Sequence, residues 1–359
     1  MKAQRALNWA RSNARAWLAR PYSQLLIASD SANWVLDEEG REMIEIGRTL
    51  GFPAYFTERP RRALKQSIHY TSFFSLAQPG FFDSHHRIGV DYFHGKPDQD
   101  PTFRKVFESL KKNVSRLTKL RLSYSGMLPL ALEAGVPADR IHRIPIGINP
   151  AFFKKQTAEG RMRARERLGI PQSAVVVGSF QKDGQGWGEG MEPKWVKGPD
   201  VFLETLGILK LKVPELFVLL TGPARGFVKE GLTRRGIPYK HFLFSNYSEI
   251  GSFYEAIDAY IVASREEGGP KSILESMISG VPIVSTKVGQ AIDLVWHDVN
   301  GFLADVGDCE TLAALTERVL TDSMLRNKIT TNAYQTAQMQ TYQAQIPEWE
   351  KYFRGFVEW

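Results

Sequence analysis

Short continuous apolar runs alternate along the whole chain with segments whose apolar residues recur every three to four positions. Parallel sheets covered by helices produce this alternation. A strand buried on both faces is apolar throughout, whereas a covering helix is apolar along one stripe. In the first half LLIASD (25–30), SIHYTS (67–72), RIGVDYF (87–93), LSYSG (122–126) and IHRIPIG (141–147) read as strands, with helical spacing over 34–50 and 102–120. In the second of these helices Phe103, Val106, Phe107, Leu110, Val114 and Leu117 form one stripe, and Lys105, Lys111, Lys112, Arg116 and Lys119 occupy solvated faces. AVVVGSF (174–180), LFVLLTG (216–222), AYIVAS (259–264) and VPIVST (281–286) repeat the strand pattern in the second half. A chain of 359 residues suits two such α/β domains. The turn-rich stretch at Ile146, Gly147, Asn149 and Pro150, followed by the charged segment 154–167, marks their junction. The expected division is 1–155, 156–340, and a C-terminal helix over 341–359 packing back on the first domain.

Ligands of such sheets bind at the carboxyl ends of the strands. REEGGPKSILESM (265–277) directly follows the strand 259–264 and so lies at that edge. Pro270 suits a first helical position, with Gly269 before it as cap, because its missing N–H would be unpaired there anyway. Ile273, Leu274, Met277 and Ile278 then have helical spacing. With Gly268 and Gly269 allowing close approach, the N–H groups of Lys271 and Ser272 can face an anion. Glu275, one turn further in, is placed to accept hydrogen bonds from ribose hydroxyls, and Glu267 to contact whatever the anion carries. A diphosphate bearing a nucleoside on one side and a sugar on the other satisfies all three. An isolated pair of acids at a helix start would instead only complement the helix dipole.

Composition narrows the setting. Hydrophobic content of 43% with 24% charged residues is ordinary for a globular protein. The one cysteine, Cys309, excludes an intramolecular disulfide framework and a multi-cysteine metal site, and points to a reducing, cytoplasmic setting. No run approaches the roughly 20 apolar residues that a membrane-spanning helix needs. The net charge of +7 is uneven: residues 1–150 hold 22 Lys plus Arg against 14 Asp plus Glu, and the remainder 24 against 25. Residues 1–29 contain five basic residues and no acid, with Ala6, Trp9, Ala10, Ala14 and Trp17 on one helical face and Arg5, Arg11 and Arg15 pointing elsewhere. This is the pattern of an interfacial helix able to lie on an anionic membrane. A transit peptide, or a helix packing both tryptophans into the first domain, has the same composition.

The segment SREEGGPKSILESMISGVPIVST (264–286) resembles the family 4 glycosyltransferases, nucleotide-sugar enzymes whose hallmark is two glutamates separated by seven residues, here Glu267 and Glu275. RIHRIPIGINPAFF (140–153), WVKGPDVFLE (195–204), VLLTGPA (218–224) and VNGFLADVGD (299–308) are also similar to the family, so the likeness covers about residues 120–308. It implies an α/β, GT-B architecture of two Rossmann-like domains facing a central cleft. It further implies retaining sugar transfer from a nucleotide diphosphate sugar, UDP- or GDP-linked, with no cofactor and no metal required. Lys197 matches the lysine of the family's Lys-Gly element, which binds the donor diphosphate. The arginine usual near it is absent; Ser179 stands near its place, with Lys182 as the substitute. The loop GQGWGEGMEPKW (184–195) is longer and richer in glycine than the family pattern, and either closes over the donor or is a surface insertion. Pro270 replaces a common glycine, removing one amide from the phosphate donors. His94, with Gly95 after the strand 87–93, matches the element that the family places beside the donor sugar. The glycine-rich loop after the first strand is replaced by SDSANW (29–34), which puts Asp30, Ser31 and Trp34 at the cleft as acceptor contacts.

The resulting assignment gives His94 and Glu267 to catalysis, and Lys182, Lys197, Gly268, Gly269, Lys271, Ser272 and Glu275 to the nucleotide sugar. Asp98-Gln99-Asp100 lacks the strand context of a metal site and reads as a solvated turn. The basic first domain suggests a glycan or lipid-linked acceptor, with peripheral contact to an anionic membrane and no nucleic-acid partner. Two rivals give different products or partners: a sugar-nucleotide epimerase or phosphorylase of the same fold, and a basic nucleic-acid-binding protein. The latter would show strongly salt-dependent oligonucleotide binding, but no recognised module is present.

Overall fold

A computed structural model of the chain describes residues 20–28, 35–57, 65–78, 81–82, 85–244 and 246–359. The expected basic helix carrying Trp9 and Trp17, and the expected acceptor contacts Asp30, Ser31 and Trp34, lie outside the described residues. Two compact units divide the chain, one of residues 1–146 with 342–359 and one of residues 147–341. The division falls after Ile146 rather than at 155, because Ile148 and Phe153 are buried in the core of the second unit. Among the described residues no helix is long and apolar enough to cross a membrane.

In the first unit six parallel strands, β1 (Leu25–Ala28), β2 (Ala54–Thr57), β3 (Ser67–Tyr70), β4 (Arg87–Asp91), β5 (Leu117–Leu122) and β6 (Ile141–Arg143), lie in the order β2-β1-β3-β4-β5-β6. Helices α1 (Val35–Thr49), α2 (Pro101–Asn113) and α3 (Leu128–Glu133) connect them. Helix α2 starts at Pro101 because the Asp100 carboxylate accepts the Thr102 N–H at 2.6 Å, a bond that also holds this carboxyl below the ordinary range. The Asp98-Gln99-Asp100 triplet therefore ends in a helix cap. The helix stops at Asn113, short of the expected Leu120, and after a 3-10 turn over Val114–Arg116 the chain enters β5. Leu117, Leu120 and Leu122 are spaced to suit either a helix stripe or a strand. Pairing with β4 on one side and β6 on the other decides for the strand, which is five residues earlier than the expected 122–126.

The C-terminal helix Ile346–Phe353 belongs to this first unit. Its Trp349, Tyr352 and Phe353, with Phe356 after it, are buried in one cluster with Leu25, Ile27, Met43 and Phe52. Beneath them runs a polar network. The fully buried Arg121 guanidinium holds Glu39 at 3.0 Å and Asp91 at 3.5 Å and donates to the carbonyls of Ile144 and Pro145, both at 3.0 Å. His69 continues it, with Nε2 2.9 Å from Asp91 and Nδ1 2.7 Å from the Tyr352 hydroxyl.

In the second unit six parallel strands, β7 (Val175–Phe180), β8 (Leu216–Thr221), β9 (Tyr239–Phe242), β10 (Ala259–Val262), β11 (Ile283–Thr286) and β12 (Phe302–Ala304), lie in the order β12-β11-β10-β7-β8-β9. The pleat sends alternate residues to two cores: Phe217, Leu219, Tyr260 and Val262 to one, Val218, Leu220, Ala259 and Ile261 to the other. Helices α4 (Ala158–Leu168), α5 (Pro199–Lys212), α6 (Gly226–Arg234), α7 (Ser272–Ile278), α8 (Cys309–Thr321) and α9 (Ser323–Met339) accompany this sheet. The chain winds outward from β7 through β8 to β9, then returns to the other side of β7 as β10. That reversal opens a crevice at the carboxyl ends of β7 and β10, the place where such sheets bind ligands.

Replacing Arg121 by Ala leaves two buried carboxylates without their cation and should lower stability by about 3–5 kcal/mol in urea unfolding. A loss under about 1 kcal/mol would mean that Glu39 and Asp91 do not depend on it.

Candidate functional site

The two loops at the β7/β10 crevice are held together by a close backbone approach. Gly198 has φ of +62°, and a β-carbon there would lie 1.9 Å from the Ala263 carbonyl oxygen, just past the end of β10. Only glycine allows this approach. The N–H groups of Arg265 and Glu266 donate to the Val196 carbonyl at 2.8 and 3.2 Å. Arg265 also forks onto Asp200 at 2.7 and 2.6 Å and donates to the Trp195 carbonyl at 2.9 Å. Lys197 is thereby set against the loop after β10. Its ammonium lies 2.6 and 2.7 Å from the two carboxylate oxygens of Glu267, and the Ser264 hydroxyl donates to the same carboxylate at 2.8 Å.

The loop carrying Glu267, Gly268 and Gly269 is braced from its other side by the turn after β11. Thr286 Oγ1 donates to the Ser264 carbonyl at 2.6 Å. Gly289 has φ of +48°, and a β-carbon there would come within 2.7 Å of the Glu267 carbonyl and 2.8 Å of the Gly268 carbonyl. Buried Gln290 reaches the Pro270 carbonyl at 3.4 Å. Beyond this loop the helix starts later than expected. Pro270 is not its first residue: the Ile273 N–H bonds back to the Pro270 carbonyl at 3.1 Å in a tight turn, and Lys271 is the cap before α7, with Ser272 the first helical residue. Only from Lys271 do the carbonyls accept i+4 bonds, beginning with the Glu275 N–H at 3.0 Å.

Glu275 is buried, with 3% of its surface exposed. Its carboxylate accepts hydrogen bonds from the hydroxyls of Tyr247 and Tyr254, the latter at 2.8 Å. Each oxygen keeps a further lone pair for another donor. Burial pushes the Glu275 carboxyl above the ordinary range, against the lowering pull of both tyrosine hydroxyls and of Lys271. The Lys271 ammonium stands 4.7 Å over the Tyr247 ring. Neither tyrosine was expected from the sequence. They precede Glu275 by 28 and 21 residues, a separation with no local signature.

Lys182 follows β7 and has its ammonium 3.9 Å over the Trp187 ring. Ser179, which stands near the expected arginine's place, does meet a guanidinium, but from another loop. Fully buried Arg225 donates to the Ser179 carbonyl at 2.6 Å and to its hydroxyl at 3.1 Å. The Arg225 Nε lies 2.9 Å from Asp183, close enough for an ion pair though not aligned as a hydrogen bond. The loop 184–195 is a tied hairpin. Gly184 and Pro193 bridge antiparallel, the Glu189 carbonyl accepts the Gly226 N–H at 2.6 Å, and the Gly190 carbonyl accepts the Phe227 N–H at 3.0 Å. His94 belongs to the first unit, following β4. Its half-buried ring packs edge-on against Phe73 and Phe103, with centroids 4.9 and 5.7 Å away.

Comparison with known proteins bears on the second unit most directly. Residues 193–336 match the family of glycosyl transferases group 1. Lys197, Glu267 and Glu275 lie within that stretch, and Lys182 precedes it. The amylovoran biosynthesis glycosyltransferase AmsK of Erwinia amylovora is 27% identical over 244 residues, 64% of this chain and 54% of that protein. The lipopolysaccharide core biosynthesis mannosyltransferase LpsB of Rhizobium meliloti is 26% identical over 142 residues, 38% of each chain. The chain spans about half the length of the curated relatives it matches. Among solved structures, Anabaena HepE in complex with UDP and glucose superposes with a TM-score of 0.74 at 18% identity, covering 93% of this chain and 99% of that one. Sucrose-phosphate synthase from Thermosynechococcus elongatus gives 0.72 at 17% identity, covering 94% and 99%. At such identities the likeness speaks to the fold, and the fold is of the GT-B kind.

Glu275 ionises at higher pH in the folded chain than in the unfolded one, so folding is disfavoured as pH rises through that interval and unaffected by this group below it. Glu275→Gln removes this term. The stability of the variant relative to the parent should therefore improve as pH rises above the ordinary glutamate pKa of about 4.3 in urea unfolding. A difference that stays constant or moves the other way contradicts the assignment.

Proposed function

We propose that this protein is a retaining glycosyltransferase that moves a sugar from a nucleotide diphosphate sugar to a glycan or lipid-linked acceptor. The observation that carries this reading is the Lys197–Glu267 pair at the β7/β10 crevice, within the stretch that matches glycosyl transferases group 1. A lysine beside a strand-end loop can neutralise a diphosphate as a point charge. When the diphosphate takes the Lys197 ammonium, the Glu267 carboxylate is released to accept hydrogen bonds from the donor sugar's hydroxyls. As the sugar–phosphate bond breaks, negative charge grows on the leaving oxygen, and a positioned cation is most effective there. The departing phosphate takes the proton of the attacking acceptor hydroxyl, so no separate protein base is needed. Glu275 holds the ribose through the remaining lone pairs of its carboxylate.

The charge that offsets the diphosphate comes from lysines, and on that ground the reaction requires no divalent metal. HepE was solved with UDP and with UDP-glucose, and another relative is named a GDP-mannose-dependent mannosyltransferase, so uridine and guanosine donors are the first to test. The relatives named for amylovoran and lipopolysaccharide core biosynthesis support a glycan acceptor. The excess of basic residues over 1–150 favours an anionic or membrane-associated one, met by a peripheral protein.

Lys197→Ala should raise the dissociation constant of the preferred nucleoside diphosphate about 10- to 100-fold in isothermal titration, as for loss of a hydrogen bond to a charged group. Unchanged binding would remove Lys197 from the site. Transfer should persist in excess EDTA, with the anomeric configuration kept in the product by NMR. An epimerised sugar nucleotide, or activity abolished by EDTA and restored by a divalent ion, would contradict the reading.

A further inference from the structure

The tied hairpin fixes a further lysine, Lys194, beside Lys197. Lys194 closes the hairpin at its base: its N–H donates to the Asp183 carbonyl at 2.8 Å, and its own carbonyl accepts the Lys197 N–H at 2.8 Å. These two backbone bonds link three strand-end positions. Lys182 adjoins Asp183, Asp183 is bonded to Lys194, and Lys194 is bonded to Lys197. Arg225 fixes the first of them from below, through its ion pair with Asp183 and its bonds to the carbonyls of Ser179 and Gln181 at 2.6 and 3.0 Å.

Lys194 is half-buried, and the charged groups acting on it are Lys197, Glu267 and Lys182. Burial first, then the two neighbouring ammonium groups, hold the Lys194 ammonium below the ordinary lysine range, with Glu267 opposing them. Lys182 is steadied by the Trp187 ring and Lys197 by Glu267. Of the three lysines only Lys197 is paired with Glu267, so Lys182 and Lys194 keep their charge for a ligand at the carboxyl end of β7. A nucleotide diphosphate sugar carries charge of the opposite sign, about one negative charge on each of its two phosphates.

We propose that Lys194 is a third cationic ligand of the donor diphosphate, presented by the hairpin beside Lys182 and Lys197. This rests on the glycosyltransferase reading and adds to it a role for the glycine-rich hairpin. The hairpin adds Lys194 to Lys182 and Lys197, and its glycines serve the backbone contacts that hold Lys194 in place. Gly190, with φ of +73°, lies so close to Ala224 that a β-carbon would meet its backbone at 2.3 Å.

The test is isothermal titration of the full chain with the tightest of UDP, GDP and ADP, and with the matching nucleoside, for the wild type, Lys194→Gln and Lys194→Arg. The Gln variant should bind the diphosphate about tenfold or more weakly, with nucleoside affinity unchanged, and the Arg variant should bind the diphosphate nearly as the wild type does. Without nucleotide, Lys194→Gln should unfold at the same temperature as the wild type or a higher one, because it relieves repulsion between like charges. A merely structural lysine would lower it. Wild-type diphosphate affinity in the Gln variant overturns the role of Lys194 alone. A wild-type protein that binds none of the three diphosphates overturns the donor reading and this inference together.

Discussion

The arrangement of the second unit's crevice depends on one steric fact, the approach of Gly198 to the Ala263 carbonyl. A side chain at position 198 would push the turn before α5 off the end of β10. The bonds from Arg265 and Glu266 to the Val196 carbonyl would go with it, and the fork between Arg265 and Asp200 would open. Lys197 would then have no fixed position relative to Glu267. A conformational requirement of a single glycine thus sets the electrostatics of the whole edge. Gly289 does the equivalent for the opposite side of the Glu267 loop, so the loop is held between two close backbone contacts, with the Arg265 and Gln290 side chains as further ties.

Held in this way, the loop stores its charge in a form that a ligand can use. Lys197 and Glu267 satisfy each other at 2.6 Å, and both side chains keep some exposure, 25% and 11%. A partly exposed pair of this kind contributes modestly to stability, since solvent screens it. It is therefore cheap to exchange for an incoming phosphate. Glu275 is the opposite case. It is buried and fixed by two tyrosine hydroxyls, so its position survives whatever happens at the surface.

Much of this was legible in the sequence, and the parts that were not have physical reasons. The continuous aliphatic strands β7, β8, β10 and β11 stood out because burial on both faces leaves no polar positions. The unread strands β2, β9 and β12 lie at sheet edges, where pairing on one side only permits short and partly polar segments. Helix α2 was read too long because Leu117 continues its stripe by coincidence, and only pairing with β4 and β6 settles the residue as strand. At the site, the sequence pointed to Glu267, Glu275 and Lys197 through spacing and resemblance. It gave no sign of Tyr247, Tyr254 or Arg225, whose contacts are made across the fold. The tie between Lys194 and Asp183 likewise appears only once the hairpin is closed.

The central claim is that a diphosphate displaces Glu267 from Lys197. A crystal structure of the protein with its preferred nucleoside diphosphate tests it most directly. The account predicts phosphate oxygens within hydrogen-bonding distance, about 3 Å, of the Lys197 ammonium, with the Glu267 carboxylate moved off it. A nucleotide bound elsewhere, with Lys197 and Glu267 still paired, would contradict it.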